Sequence, residues 1–160
     1  MSKFGTEYNV EKKYGPAGST RCFSGKVSLP FPMKLSWDKS KIITRFNCHE
    51  NFALSAQRVF ENIFKAYSKE EIEKHGFNVF GGCFNNRNKR GGVTKSMHAY
   101  GLAVDIDPER NTYKSNSNTA YLARPECLKF WECWENEGWV SLGRKHNYDW
   151  MHVQALDTIK

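Results

Sequence analysis

From Asn51 onward the apolar positions Phe52, Ala56, Val59, Phe60, Ile63, Phe64 and Tyr67 recur at helical spacing, with Arg58, Glu61 and Lys65 between them. That period predicts an amphipathic helix with one face on a core. Glu70 to Lys74 adds a short helical turn before Gly76, and Phe77-Asn78-Val79-Phe80 reads as a strand. Leu102 to Asp107 alternates large apolar with small or acidic residues, the pattern of a strand with one face on the core and one on a cleft. Asp105 and Asp107 then point the same way. Pro125 suits the first turn of a second helix, whose stripe of Leu128, Trp131 and Trp134 is stopped by Gly138. Trp139-Val140 and the segment from Trp150 to Leu156 read as closing strands.

Residues 1–38 are rich in Gly, Pro, Ser and Lys and predict an irregular arm laid over the core through Phe31, Leu35 and Trp37. The expected organisation is therefore one domain, with an irregular N-terminal arm over 1–40 and the globular body over 41–160. A Gly-, Asn- and Arg-rich loop follows Phe80, and residues 111–119 form a polar surface loop that shows no chemistry. The order of arm, helix, strands, helix and strands favours an α+β fold, a small, mainly antiparallel sheet with helices packed on it.

Composition narrows the picture. Apolar residues at 39% and aromatics at 14% suffice for a buried core, which excludes wholesale disorder. The longest apolar runs, such as Ile42-Ile43, fall far short of the roughly 18 residues of a membrane span, so none is expected. The N-terminal residues show no apolar segment before a small-residue cleavage site, so synthesis without a signal peptide is expected. The five cysteines lack paired spacing and read as small buried side chains. The net charge of +7 is concentrated in residues 1–50 (nine Lys/Arg against four Asp/Glu) and 81–100 (four against none). That suits an anionic polymer, either nucleic acid or cell wall. No nucleic-acid motif accompanies it, so no nucleic-acid partner is expected.

Two segments combine metal-capable side chains with strand-like context, Ser96 to Ile106 and Tyr148 to Gln154. Six residues, Gly101 among them, separate His98 from Asp105, close enough for both to reach one cation, and His152 comes from a later strand. Two imidazoles and a carboxylate form the ligand set of a catalytic zinc with an open position for water. Asp149 precedes His152 by three residues, and such positions face opposite sides of a regular strand. It shares the cleft only if the strand starts irregularly, and it is then placed as general base. Ser96 reads equally as a substrate contact and as a turn cap. His49, His75 and His146 lack partners at useful spacing and are expected to be exposed, with His146 at the rim of the site as a minor alternative. Asp107 and Glu109 read as a polar turn.

The series Ser96-x-His98-x-x-Gly101-x-Ala103-x-Asp105-Ile106, followed by Asp149-x-x-His152, resembles the zinc peptidases grouped as D-alanyl-D-alanine carboxypeptidases, D,D-dipeptidases and phage L-alanyl-D-glutamate endopeptidases. The likeness extends to Phe80-Gly81-Gly82-Cys83, the basic Arg87–Gly92 loop and Glu137 to Gly143, and covers roughly residues 77–156. The resemblance implies that 41–160 is a zinc peptidase catalytic domain holding one zinc ion through His98, Asp105 and His152, with Asp149 as base. Many members carry glutamate as the base; aspartate resembles the phage endolysin branch and needs a closer approach of its strand. The family's substrate-binding, oxyanion-stabilising arginine maps to Arg87 or Arg90, with Arg87 favoured. The expected activity is hydrolysis of a peptidoglycan stem-peptide amide, L-Ala-D-Glu first and terminal D-Ala-D-Ala second, by a monomer. It would be made in a host cytoplasm and would act on periplasmic peptidoglycan once the inner membrane is permeabilised. The alternative of another class is a non-catalytic zinc-containing module that binds the cell wall.

Overall fold

The computed structural model describes residues 7–157 apart from 90 and 93, with side chains from Val10 onward. Its sheet has six strands, β1 (Gly25–Leu35), β2 (Asp38–Cys48), β3 (Val79–Gly82), β4 (Ala103–Ile106), β5 (Val140–Ser141) and β6 (His152–Gln154). They lie in the order β2-β1-β3-β4-β6-β5, and every pairing is antiparallel except β1 with β3. Five helices accompany it, α1 (Glu7–Tyr14), α2 (Ala53–Ala66), α3 (Lys69–His75), α4 (Leu128–Glu135) and α5 (Leu142–His146). The fold is α+β with a mainly antiparallel sheet, as the patterning predicts. No helix among the described residues is long and apolar enough to cross a membrane.

The core lies where α2 and α4 meet the sheet. Ala56, Val59, Phe60 and Ile63 of α2 are fully buried, because their spacing of three and four puts them on one helix face. Phe60 meets Trp134 of α4 edge-to-face at 5.5 Å, and Phe130 stacks on Phe77 at 4.2 Å. Such ring pairs add to the area they bury. Helix α3 is set by its ends. Ser68 and Glu71 form a reciprocal capping box, and Gly76 closes the helix in the left-handed conformation.

The N-terminal segment departs from expectation. Within the stretch expected to be irregular lie α1, the whole eleven-residue strand β1 and the start of β2. Pro30 and Pro32 obscured that strand, and its pairing with β2 shifts register between Ser28 and Met33. A proline cannot donate to a ladder, so an irregular stretch accommodates it without ending the strand. Phe31 is buried and Leu35 half-buried, but Trp37, expected to pack on the core, is 64% exposed at the β1–β2 turn. The outer strand β2 carries Lys39, Lys41 and Arg45, charges of the kind that discourage edge-to-edge pairing. All five cysteines are free and buried, and burial pushes the Cys127 thiol up to about 12. Asp107 pairs with Arg110 at 2.7 Å and Glu109 with Lys39 at 2.6 Å, which commits both carboxylates of that turn.

Two histidines expected at the surface are inside. His75 is buried against Tyr121, with Nδ1 2.8 Å from the phenol oxygen. His49 is completely buried, its Nε2 2.7 Å from the Tyr14 carbonyl and its Nδ1 accepting the Asn51 N–H at 3.0 Å. The neutral ring with hydrogen on Nε2 satisfies both, and it staples α1 to the start of α2. The His49 N–H in turn donates to the Gly101 carbonyl at 2.9 Å. Gly101 has φ +67°, and a Cβ there would run into the Cys22 carbonyl. The glycine is required both by its backbone conformation and by the close approach of another chain segment.

Burial holds His49 below the ordinary imidazole pKa, outweighing the bond to the Tyr14 carbonyl, which acts the other way. The unfolded chain therefore takes up a proton at about pH 6.5 before the folded one does, and this contribution is complete above that pH and declines below it. His49→Leu, which removes both bonds, should cost about 2–3 kcal/mol at pH 7 and should reduce the slope of the urea midpoint between about pH 6.5 and 5. Gly101→Ala should cost about 3 kcal/mol, seen by calorimetry as a fall of roughly 10 °C in Tm.

Candidate metal centre

Three elements deliver the metal-capable side chains. A short 3-10 turn, Met97–Tyr100, carries His98, and its entry is capped by the Ser96 hydroxyl, which accepts the His98 N–H at 3.2 Å. Gly101 closes that turn and sends the chain into β4, where Asp105 is the third residue. Strand β6 runs antiparallel beside β4 with Asp105 directly opposite His152. Cross-strand partners share a face, so carboxylate and imidazole meet without a loop having to fold over them.

His98 Nε2 lies 3.2 Å from Asp105 Oδ2, and His152 Nδ1 lies 3.4 Å from Asp105 Oδ1. The two rings stand edge-to-face, 5.1 Å between centroids. All three ligand atoms fall within 4.8 Å of one another. His98 Nδ1 donates to the Cys83 carbonyl at 2.8 Å. His152 Nε2 donates to Gln154 Oε1 at 2.9 Å, and the Gln154 amide is oriented by its own bond to the Leu156 carbonyl at 2.8 Å. These outer bonds assign the tautomers and aim the lone pairs of His98 Nε2 and His152 Nδ1 at the space beside Asp105. His98 Nε2 and Asp105 Oδ1 are buried and lack a hydrogen-bond partner among the described residues. Buried polar atoms of this kind are expensive unless something satisfies them. Two nitrogens and one carboxylate oxygen aimed at one point fit a divalent cation of the zinc type.

The charges tell the same story. Burial alone would raise the Asp105 pKa, but the facing imidazoles of His98 and His152 hold it well below the usual carboxylate range. Burial lowers His152, yet the hydrogen bond and charge of Asp105, with Asp149 behind them, carry it above the ordinary imidazole value. The cluster is thus an electrostatic trap for positive charge, whether proton or metal.

Asp149 occupies the irregular start that its spacing requires. Strand β6 begins only at His152, and Asp149 stands just before it at φ +52°, a left-handed conformation that aspartate tolerates better than most residues. Its N–H donates to the Tyr113 carbonyl at 2.9 Å, and its own carbonyl accepts the His152 N–H at 2.9 Å. The carboxylate, 12% exposed, comes within 3.8 Å of His152 Nδ1. It therefore faces both the metal-capable cluster and the solvent of the cleft.

That cleft, of about 210 Å³, also has Arg87, Ser96 and His146 on its lining. Arg87 donates to the Asn88 carbonyl at 3.2 Å and has no carboxylate partner among the described residues. Arg90 lies outside the described residues. His146 is exposed at the end of α5 and reaches the cleft, the placement given above as its minor alternative. Sequence patterning missed three contributors. Gln154 was legible as the i+2 neighbour of His152 on one strand face, whereas the backbone carbonyls of Cys83 and Tyr113 leave no mark on a sequence. The Tyr113 ring, from the loop that shows no chemistry in sequence, meets Tyr148 edge-to-face at 5.7 Å on the cleft wall.

Residues 90–155 match the family model described as D-alanyl-D-alanine carboxypeptidase. That stretch is less than half of the chain, but it holds His98, Asp105, Asp149 and His152. No curated protein and no solved structure gives a significant match. The family match supports a metallopeptidase of the carboxypeptidase type.

Proposed function

We propose that this chain is a zinc-dependent peptidoglycan peptidase of the phage endolysin type that hydrolyses a stem-peptide amide, L-Ala-D-Glu by preference. The observation that carries the reading is the convergence of two oriented imidazole lone pairs and a buried carboxylate beside a second carboxylate, Asp149, at the base of a cleft. His98, Asp105 and His152 hold the ion. When bound, zinc supplies Lewis acidity toward a carbonyl and makes a water acidic enough to ionise near neutral pH.

The chain's own residues do the rest. Asp149, held in place by the Tyr113 carbonyl and the His152 N–H, takes the proton from the attacking water at its carboxylate and returns it to the leaving amine. Arg87, which no carboxylate among the described residues neutralises, offers its guanidinium to the charge that develops on the scissile carbonyl oxygen. Gln154 and the Cys83 carbonyl keep the two imidazoles in the tautomers that ligation needs. The carboxypeptidase description of the matching family favours a second reading, release of a terminal D-Ala. In the endolysin reading the protein is made in a host cytoplasm and meets periplasmic peptidoglycan after the inner membrane is opened.

Incubation with peptidoglycan sacculi, followed by mass spectrometry, should reveal new L-Ala carboxyl and D-Glu amino termini. Free D-Ala without them would move the chain to the carboxypeptidase reading, and no cleavage by folded, zinc-loaded protein would leave a wall-binding module. Chelation should abolish turnover and zinc should restore it, with about one zinc per chain by elemental analysis in the native protein and much less in His98→Ala. Asp149→Asn should keep its zinc while losing about 10²–10⁴-fold in kcat. An Asp149→Asn protein with native turnover would remove the base from the mechanism.

A further inference from the structure

A second groove, of about 570 Å³, lies along the solvent side of the β1–β2 ribbon and reaches the end of β3. Its walls carry exposed aromatic rings. Trp37 is 64% exposed and Phe23 36%; Trp37 stands 6.4 Å from Phe80, and Phe23 stands 5.0 Å from Phe84. Lys26 and Asn47 are cross-strand partners, and Arg45 lies two residues from Asn47, so all three project from one face of the ribbon. Among the described residues no carboxylate lines the groove, and neither Lys26 nor Arg45 has an ion-pair partner. Exposed tryptophan beside uncompensated cations is unusual on a surface that contacts only water.

The groove adjoins the metal centre through one strand end. Gly82 and Cys83 line it, while Gly82 pairs with Asp105 and the Cys83 carbonyl receives the His98 imidazole N–H. A polymer seated in the groove would therefore run close to the cleft.

We propose that this groove binds the glycan strand of peptidoglycan, an N-acetylated amino-sugar polymer whose units without a stem peptide carry a free lactyl carboxylate that meets Lys26 and Arg45. The assignment rests on the peptidase reading and adds a second point of attachment to it. A pyranose ring presents an apolar C–H face to an aromatic plane and hydroxyl and acetamido groups at its edge, where the Asn47 amide and the two cations stand. A single-stranded nucleic acid, the other polymer that stacks on aromatic rings, carries a charge on every unit and calls for a continuous basic track. Two cations, Lys26 and Arg45, in a groove of about 570 Å³ suit a sparsely charged polymer better. Holding the glycan raises the effective concentration of stem peptide at the cleft without new contacts to the peptide itself.

The test separates docking from chemistry. Full-length, zinc-loaded protein, Trp37→Ala and the Lys26→Ser/Arg45→Ser double variant are titrated with glycan strands stripped of their peptides, and assayed in parallel on a short soluble stem peptide and on intact sacculi. Trp37→Ala should bind stripped glycan about tenfold more weakly, Trp37→Phe should recover most of the loss, and the double variant should lose the salt-sensitive part of binding. All should hydrolyse the soluble peptide like the native protein, while the Trp37→Ala and double variants act more slowly on sacculi. Because Trp37 is largely exposed, its replacement leaves the core intact. Native-like glycan binding by Trp37→Ala, or no glycan binding by the native chain, would overturn the proposal. So would displacement of glycan by an equal concentration of single-stranded DNA, which would reassign the groove. Failure of the native protein to cleave any peptide would sink the peptidase reading alone, since glycan binding is read without turnover.

Discussion

The pairing of β4 with β6 sets Asp105 opposite His152, and the rest of the site is arranged around that single register. A slip of one residue would move His152 to the other face of the sheet, away from Asp105 and His98, because side chains alternate along a strand. The apolar neighbours guard against it. Val104 and Val153 are partners in the same ladder and are completely buried, so the slip would also take Val153 out of the core and put His152 in its place. The hydrophobic pattern that makes these segments strands thus fixes the geometry of the polar cluster as well.

A second layer turns proximity into a binding site. Each imidazole has one nitrogen occupied by an outer acceptor, the Cys83 carbonyl for His98 and the Gln154 amide for His152. The remaining nitrogens have nowhere to turn. Tautomer and ring orientation are settled before any ion arrives, which lowers the reorganisation that ligation would otherwise require. The aromatic core beneath, from Phe60 through Trp134 to Trp139, keeps α2 and α4 seated on the sheet that carries these residues.

Much of this was legible in the sequence, and the failures have identifiable causes. The period of three and four in α2 and the paired His and Asp segments translate directly into structure, because each records a local geometric rule; the alternation holds in β4 only to Ile106, and Asp107, expected to point the same way as Asp105, leaves the strand in a left-handed turn and pairs with Arg110 instead. Strand β1 was hidden by its prolines, since composition shows that they break ladders but not that an irregular stretch had been provided for them. His49 and His75 were misplaced to the surface because their partners, Tyr14 and Tyr121, are 35 and 46 residues away. Trp37 was assigned to the core on hydrophobicity alone, though a turn between two strands has little beneath it to cover a ring. The Tyr113 loop looked inert because it supports Asp149 through a carbonyl group that every residue type possesses.

Asp149 sits at φ +52°, and this bears on which mutations the position can accept over evolutionary time. Left-handed backbone is open mainly to glycine, asparagine and aspartate, whose short polar side chains relieve the strain locally. Among these only aspartate carries a carboxylate. Glutamate, the base in many members of the peptidase family that this chain resembles, would need a different turn before β6 as well as a longer side chain. Replacing Asp149 by glutamate is therefore a step of two changes, one in the side chain and one in the backbone that carries it.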